Sequence, residues 1–260
     1  MDEQALTPSA QDYLKAVYHL GSRGRAVNTT ELAEVLEVAP ASVTGMLKRL
    51  SKDGYLEYAP RQGAELTSKG LQAALEVIRH HRLLESFFVR RLGMDWTQAH
   101  HEAEILEHFI SEELEHLIDK AMGFPAFDPQ GSPIPTREGE VVHQDWPSLV
   151  EVGTARCVVR RVRHSDRELV SYIESLGLVP GTELRVEGVG PFDGPISLTV
   201  SGRGIHLGRR VAEAVFVESL SSSMPGGDSE LADLTADPTG SGNHEVAGAD
   251  EVSQAQGGHA

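Results

Sequence analysis

The sequence predicts an α+β protein, with a helical N-terminal part closed by a β-hairpin, then two long helices, then a small β-barrel. Three observations carry this. Residues 9–70 alternate helical periodicity with short breaks and end in the hairpin-like run YLEYAPRQGAELTSKG. Residues 68–122 hold two long stretches, each with an apolar side. From about Leu149 to Leu220 the pattern changes to the short β-runs ARCVVRRV, ELRVEGV, ISLTV and AVFVES.

In chain order, Ala10–Leu20 puts Tyr13, Leu14, Val17 and Leu20 on one face, as a short amphipathic helix does. Thr29–Thr30 can cap the next helix, with Leu32, Ala33 and Leu36 inward. After a break at Val38–Pro40, Ala41–Asp53 turns Val43, Met46, Leu47 and Leu50 inward, and Gly54 stops it. Two short strands then meet about a Gln62–Gly63 turn. Helix, break, helix, hairpin is the order of a winged helix-turn-helix, whose second helix enters the major groove while the hairpin touches phosphate. Ser42 and Thr44 would approach the DNA backbone, Lys48 and Arg49 point outward, and Arg61 sits at the wing tip. A plain three-helix bundle shares the periodicity. The direct passage of SVTGMLKRLSKDGYLEY into a wing holding Arg61 favours a double-stranded DNA partner.

Beyond the wing, Lys69–Leu92 and Trp96–Met122 read as the two long helices. FPAFDPQGSPIPTREGE is a Pro- and Gly-rich linker, and Asp166–Leu176 is the one helix among the β-runs. The tail from Ser221 is Gly, Ser, Ala and acid, which predicts disorder. The expected divisions are 1–70 (DNA-binding), 71–123 (helical), 124–148 (linker), 149–220 (barrel) and 221–260 (acidic tail).

A net charge of -16 argues at first against nucleic acid, but the charge is segregated. After Ser219 there is no Lys or Arg and seven acidic residues. Ala39–Gly70 carries Lys48, Arg49, Lys52, Arg61 and Lys69 against Asp53, Glu57 and Glu65. No apolar run approaches the roughly 20 residues that span a bilayer, and the N-terminus lacks a signal-peptide pattern, so the expectation is a cytoplasmic protein without a membrane partner. The single cysteine, Cys157, reads as a small buried strand residue.

The strongest chemical signal lies on the two long helices. At ~100° per residue, His100, Glu104, Glu107 and His108 of HHEAEILEH share one stripe. Ala103, Leu106, Ile110, Leu114 and Leu117 form a neighbouring stripe with the character of a buried face. On the preceding helix His81 and Glu85 are an i,i+4 pair. Imidazole and carboxylate donors without thiolate suit Mn, Fe(II), Co or Zn, and the oxygen-rich mix leans to the harder end.

YLKAVYHL, the winged helix, HHRLLESFF and HEAEILEHFISEELE together resemble the diphtheria toxin repressor family of metal-dependent regulators, and SPIP and LVPGTEL fit it too. The resemblance runs from about Ser9 to Leu220 and implies a winged helix, a helical dimerisation domain, a C-terminal SH3-like (FeoA-like) barrel, a homodimer and two metal sites per subunit. Carried over, the primary site comprises Asp12, Glu104, Glu107 and His108, and the ancillary site His81, Glu85 and His100. His164, Asp166 and Glu168 are candidates for extra barrel ligands. Iron-type members use a Met on the first helix and a Cys on the long helix; here Asp12 and Glu104 stand there, as in the manganese regulators, so Mn(II) is the implied metal and Fe(II) the alternative. The chain departs from the manganese pattern at Lys15, where those regulators have a second carboxylate, and from the iron pattern at Gly45, where a base-contacting Gln is usual. The implied function is metal-activated repression of metal-uptake genes, without enzymatic activity. Competing readings are an iron-responsive repressor, a carboxylate-bridged di-metal enzyme, and a metal-independent winged-helix adaptor.

Overall fold

A computed structural model describes residues 6–21, 25–163, 166–192 and 194–220. The acidic tail and His164 lie outside them. Helix α1 (Pro8–Gly21) buries Ala10, Tyr13, Leu14, Ala16 and Val17, as its periodicity requires. Helix α2 (Thr29–Val35) is capped by Asn28 and not by Thr29–Thr30: Asn28 accepts the Glu31 N–H, and Glu31 reciprocates at the Asn28 N–H. Helix α3 (Pro40–Lys52) starts with proline at its first position and buries Val43, Leu47 and Leu50. The wing pairs β1 (Leu56–Ala59) with β2 (Gly63–Leu66), Leu56 opposite Leu66 and Ala59 opposite Gly63. Its turn is therefore Pro60–Gln62, one step earlier than expected, with Arg61 in the left-handed region (φ 70°).

Helix α4 (Ser68–Phe87), capped by Thr67 and extended by a π-helical turn to Leu92, is the central strut. It must approach the wing closely: a Cβ on Gly70 would lie 1.9 Å from the Tyr55 carbonyl oxygen. Between Val77 and Ser86 every side chain is buried, Arg79, His80, His81, Arg82 and Glu85 among them. Helices α5 (Trp96–Leu106) and α6 (Glu112–Met122) replace the single helix expected over Trp96–Met122. Ser111 accepts the Leu114 N–H, and Glu112, Glu113 and Glu115 fill the first turn, where the helix dipole favours acid. A new helix starts there, and Glu107 and His108 fall on the connecting turn.

The linker has little regular structure but is not merely solvated, since Asp128, Gln130, Ser132 and Ile134 are buried. Its tight loop rests on the barrel, Gln130 accepting the Val162 N–H and Gly131 leaving no room for a Cβ beside the Arg160 carbonyl. Strands β3 (Ala155–Val162), β4 (Glu183–Val189), β5 (Ile196–Val200), β6 (Arg203–Leu207) and β7 (Val215–Ser219) form one antiparallel sheet in the order β6-β5-β4-β3-β7. Helix α7 (Arg167–Ser175) and the single turn α8 (Arg209–Ala212) complete this SH3-like domain. Its core includes Cys157 and takes in Trp96 from α5. Among the described residues no helix is long and apolar enough to cross a membrane.

Candidate metal centre and nucleic-acid interface

Two groups of side chains that could hold a metal ion converge. In the first, Asp12 on α1 meets Glu107 and His108 on the α5–α6 turn, with ligand atoms within 4.8 Å of one another. His108 Nδ1–H donates to Gln11 Oε1 at 2.7 Å, which leaves Nε2 facing Asp12 Oδ1 at 3.1 Å and Glu107 Oε1 at 3.5 Å. The ring is thus presented in one tautomer with its lone pair toward two carboxylates, as an orienting amide does for a metal-bound imidazole. Glu107 is fully buried as a side chain. Burial opposes its charge, but His81 and Lys15 hold its carboxyl below the usual range. Burial raises the Asp12 carboxyl, partly offset by His108 and Lys15. His80 Nδ1–H donates to the Glu107 carbonyl at 3.0 Å and fixes the backbone of the turn.

The second group is His81, Glu85 and His100, from α4 and α5. His81 Nδ1–H donates to Glu107 Oε2 at 2.5 Å, and His100 Nε2–H reaches Glu104 Oε1 at 3.3 Å. With their outer N–H groups engaged, the inner nitrogens face each other at 3.0 Å and face Glu85 Oε1 at 3.3 and 2.9 Å. Two imidazole nitrogens and a carboxylate at this spacing are satisfied by a cation among them, either a proton on a ring nitrogen or a metal ion. Neighbouring ligands of an octahedral ion with bonds of about 2.1 Å stand roughly 3 Å apart, so the arrangement fits a divalent metal. A proton answers the same demand: against the opposition of burial, Glu104 and Glu85 raise His100 to about 9, and Glu85 and Glu107 raise His81. Glu107 touches both groups, through Oε1 and Oε2.

Of the expected primary ligands, Asp12, Glu107 and His108 come together. Glu104 does not join them; it is half-exposed and pairs with His100, whose hydrogen bond lowers its carboxyl to about 2. Asp166 and Glu168 are not brought to either group. Asp166 caps α7, accepting the Leu169 N–H, and pairs with Arg210, while Glu168 is exposed on the first turn of α7. Residues that sequence reasoning missed include Gln11 and His80, which contact the ligands across 97 and 27 residues. Periodicity carries no signal for such pairs.

On α3 the exposed residues Ser42, Gly45, Lys48, Arg49 and Lys52 line the outer face, and Arg61 is exposed on the wing. No atom lies within 4 Å of a Cβ built at Gly45, so the middle of this face is smooth. Thr44 differs from expectation: it is half-buried and its hydroxyl donates to the Pro40 carbonyl.

Fold and site define a metal-responsive DNA-binding protein. Residues 5–64 match the iron dependent repressor N-terminal DNA binding domain, 67–136 the iron dependent repressor metal binding and dimerisation domain, and 148–219 the FeoA domain. The iron-dependent repressor IdeR of Mycobacterium leprae (strain TN) is 29% identical over 228 residues, covering 83% of this chain and 99% of that one. The HTH-type transcriptional regulator MntR of Lysinibacillus sphaericus (strain C3-41) is 37% identical over 105 residues, 40% of this chain and 75% of its own. A solved manganese-dependent transcriptional repressor in complex with manganese superposes with a TM-score of 0.74 at 35% identity, over 81% of this chain and all of the other. The chain belongs to the diphtheria toxin repressor family of metal-dependent DNA-binding repressors, and it is not an enzyme. Its DNA-binding and dimerisation domains imply an operator and a homodimer.

Proposed function

We propose that this repressor is activated by Mn(II), and that the observation carrying the mechanism is the split origin of the first ligand group. Asp12 belongs to the DNA-binding domain, whereas Glu107 and His108 belong to the helical domain. When bound, the ion supplies a positive charge that neutralises two carboxylates and draws them to one point. The side chains do the rest: His108, held by Gln11, and Glu107, held by His80 and His81, offer a fixed platform to which α1 docks through Asp12. Docking sets the orientation of α3. In a two-fold dimer that fixes the separation of the two groove helices, which must match about one helical turn, roughly 34 Å, or a multiple.

The dimer surface we assign to α5 and α6, where Ile105, Leu106, Phe109, Leu114 and Leu117 are exposed, Phe109 at 72%. Leu106, Leu114 and Leu117 belong to the stripe that the sequence reads as a buried face, but in the single chain they are exposed. Their exposure in one chain calls for a second copy of the same chain. Ser42, Lys48, Arg49 and Arg61 would touch DNA, and Lys52 extends their row.

Manganese is favoured because both groups offer only carboxylate oxygen and imidazole nitrogen, while the one thiol, Cys157, is buried in the barrel core. The regulated genes would be those of metal uptake. Anaerobic titration of Mn(II), Fe(II) and Zn(II) against binding to a DNA site selected from a random pool tests this. Mn(II) is expected to activate binding at free concentrations where Fe(II) does not. Equal or stronger activation by Fe(II) would overturn the assignment.

A further inference from the structure

Lys15 stands out among the residues around the first ligand group. It lies one turn after Asp12 on the same face of α1, and its ammonium is 2.5 Å from Glu107 Oε1. The pair is sheltered, with the Lys15 side chain 19% exposed and that of Glu107 fully buried. Glu107 Oε2 is held by His81, so the oxygen that Lys15 holds is the one turned toward His108 Nε2. This is the oxygen that a metal shared with Asp12 and His108 would need.

We propose that Lys15 is an internal cation that competes with the activating metal for Glu107 and thereby sets the metal concentration at which the repressor switches on. The inference rests on the metal-binding reading of Asp12, Glu107 and His108. Two carboxylates alone would present a charge of -2; with Lys15 among them the group presents -1. An arriving divalent ion meets half the attraction and must share Glu107 Oε1 or move the ammonium aside. A competing cation inside the protein lowers affinity without removing any ligand. The same contact also ties α1 to the α5–α6 turn.

The test measures Mn(II) binding to the full chain without DNA, by calorimetry and by the electron paramagnetic resonance of free Mn(II). Lys15→Gln removes the charge, Lys15→Met does so at similar length should glutamine disturb packing, and Lys15→Arg retains it. At the domain-joining site, Lys15→Gln and Lys15→Met are expected to tighten Mn(II) binding at least about tenfold, since one unit charge within a few ångströms of a sheltered ion exceeds that effect in Coulomb energy. Lys15→Arg is expected to stay within about threefold of the parent. Unchanged or weakened binding in folded Lys15→Gln and Lys15→Met would overturn the proposal. Asp12→Ala separates the two levels of failure. If it leaves all Mn(II) binding intact, the site itself is misassigned; if it removes one ion while the Lys15 variants match the parent, the site stands and only the competition fails.

Discussion

The two ligand groups sit side by side and share Glu107, yet they are built in opposite ways. His81, Glu85 and His100 come from α4 and α5, which pack within one domain, and Glu85 is 1% exposed. Asp12 is separated from Glu107 and His108 by more than 90 residues, lies on another domain, and its side chain is 42% exposed. A site whose residues come from one domain can bind metal without moving that domain against another. A site whose ligands belong to two bodies turns binding energy into their relative position, because the ion favours the arrangement in which all ligands reach it. The first group therefore has the construction of a switch and the second that of a prop.

The sharpest way to break this distinction is to remove one ligand from each. Asp12→Ala is expected to lower DNA affinity at saturating Mn(II) about 100-fold, toward the upper end of measured coupling between sites. The dimer and the second group should survive, so one ion per chain remains. Glu85→Ala should also leave one ion per chain, but lower DNA affinity by no more than about tenfold, because its ion steadies the platform and does not join the domains. Fluorescence anisotropy for DNA and equilibrium dialysis for the ion count check both. If Glu85→Ala costs more than Asp12→Ala, the roles are reversed.

How far each group could be read from the sequence follows from the same difference. His81 and Glu85 are one turn apart on a helix, so the second group is visible as a spacing with His100 on the facing helix. The barrel strands were legible for a similar reason: ARCVVRRV, ELRVEGV and ISLTV, apolar and β-branched, are the observed β3, β4 and β5. The first group depends on a turn that the extrapolated 3.6-residue stripe hides. Running one helix from Trp96 to Met122 put Glu104 on one stripe with Glu107 and His108, whereas α5 ends at Leu106 and leaves Glu107 and His108 on the turn before Ser111. Serine followed by Glu112 and Glu113 is a visible start signal, overridden by the continuing apolar periodicity of Ile110, Leu114 and Leu117. Asp166 likewise carries a local signal, since an aspartate before RELV is a helix cap and is used as one. The Gln11–His108 contact had no local signal at all.

Acidity offers a subtler separation. Glu104 and Glu85 raise His100 to about 9, above its ordinary 6.5. A raised histidine stabilises the fold fully below the ordinary value, and that contribution is lost as pH climbs through about 9. The same proton must leave when His100 becomes a ligand. Metal binding at the second group should therefore release close to one proton from His100 near pH 7, and its affinity should rise steadily to about pH 9. The comparison is made within that group. Calorimetry in buffers of different ionisation enthalpy counts the protons in the parent and in Asp12→Ala, which retains only the second group's ion. Release near zero in Asp12→Ala would mean that His100 is not a ligand.

The smallest expected effect bears on Glu104, the residue that sequence and structure place differently. As a ligand of the first group it would have to leave His100 and join Asp12, Glu107 and His108. As the structure has it, Glu104 accepts the outer N–H of His100 and holds that ring's inner nitrogen toward Glu85. Glu104→Gln keeps an acceptor for the same N–H and removes the charge, so it tests the ligand role with little disturbance of orientation. Without the negative charge His100 loses part of its hold on the proton, and the metal competes more easily at neutral pH. The second group should then bind Mn(II) slightly more tightly at pH 7, by no more than about threefold because a half-exposed pair is screened by solvent. The gain should vanish at about pH 9.5, where the parent's His100 is already mostly deprotonated. The first group should stay within about twofold of the parent at both pH values. A loss of tenfold or more at the first group would show that Glu104 swings from His100 to the ion, and the domain-joining site would then hold four protein ligands instead of three.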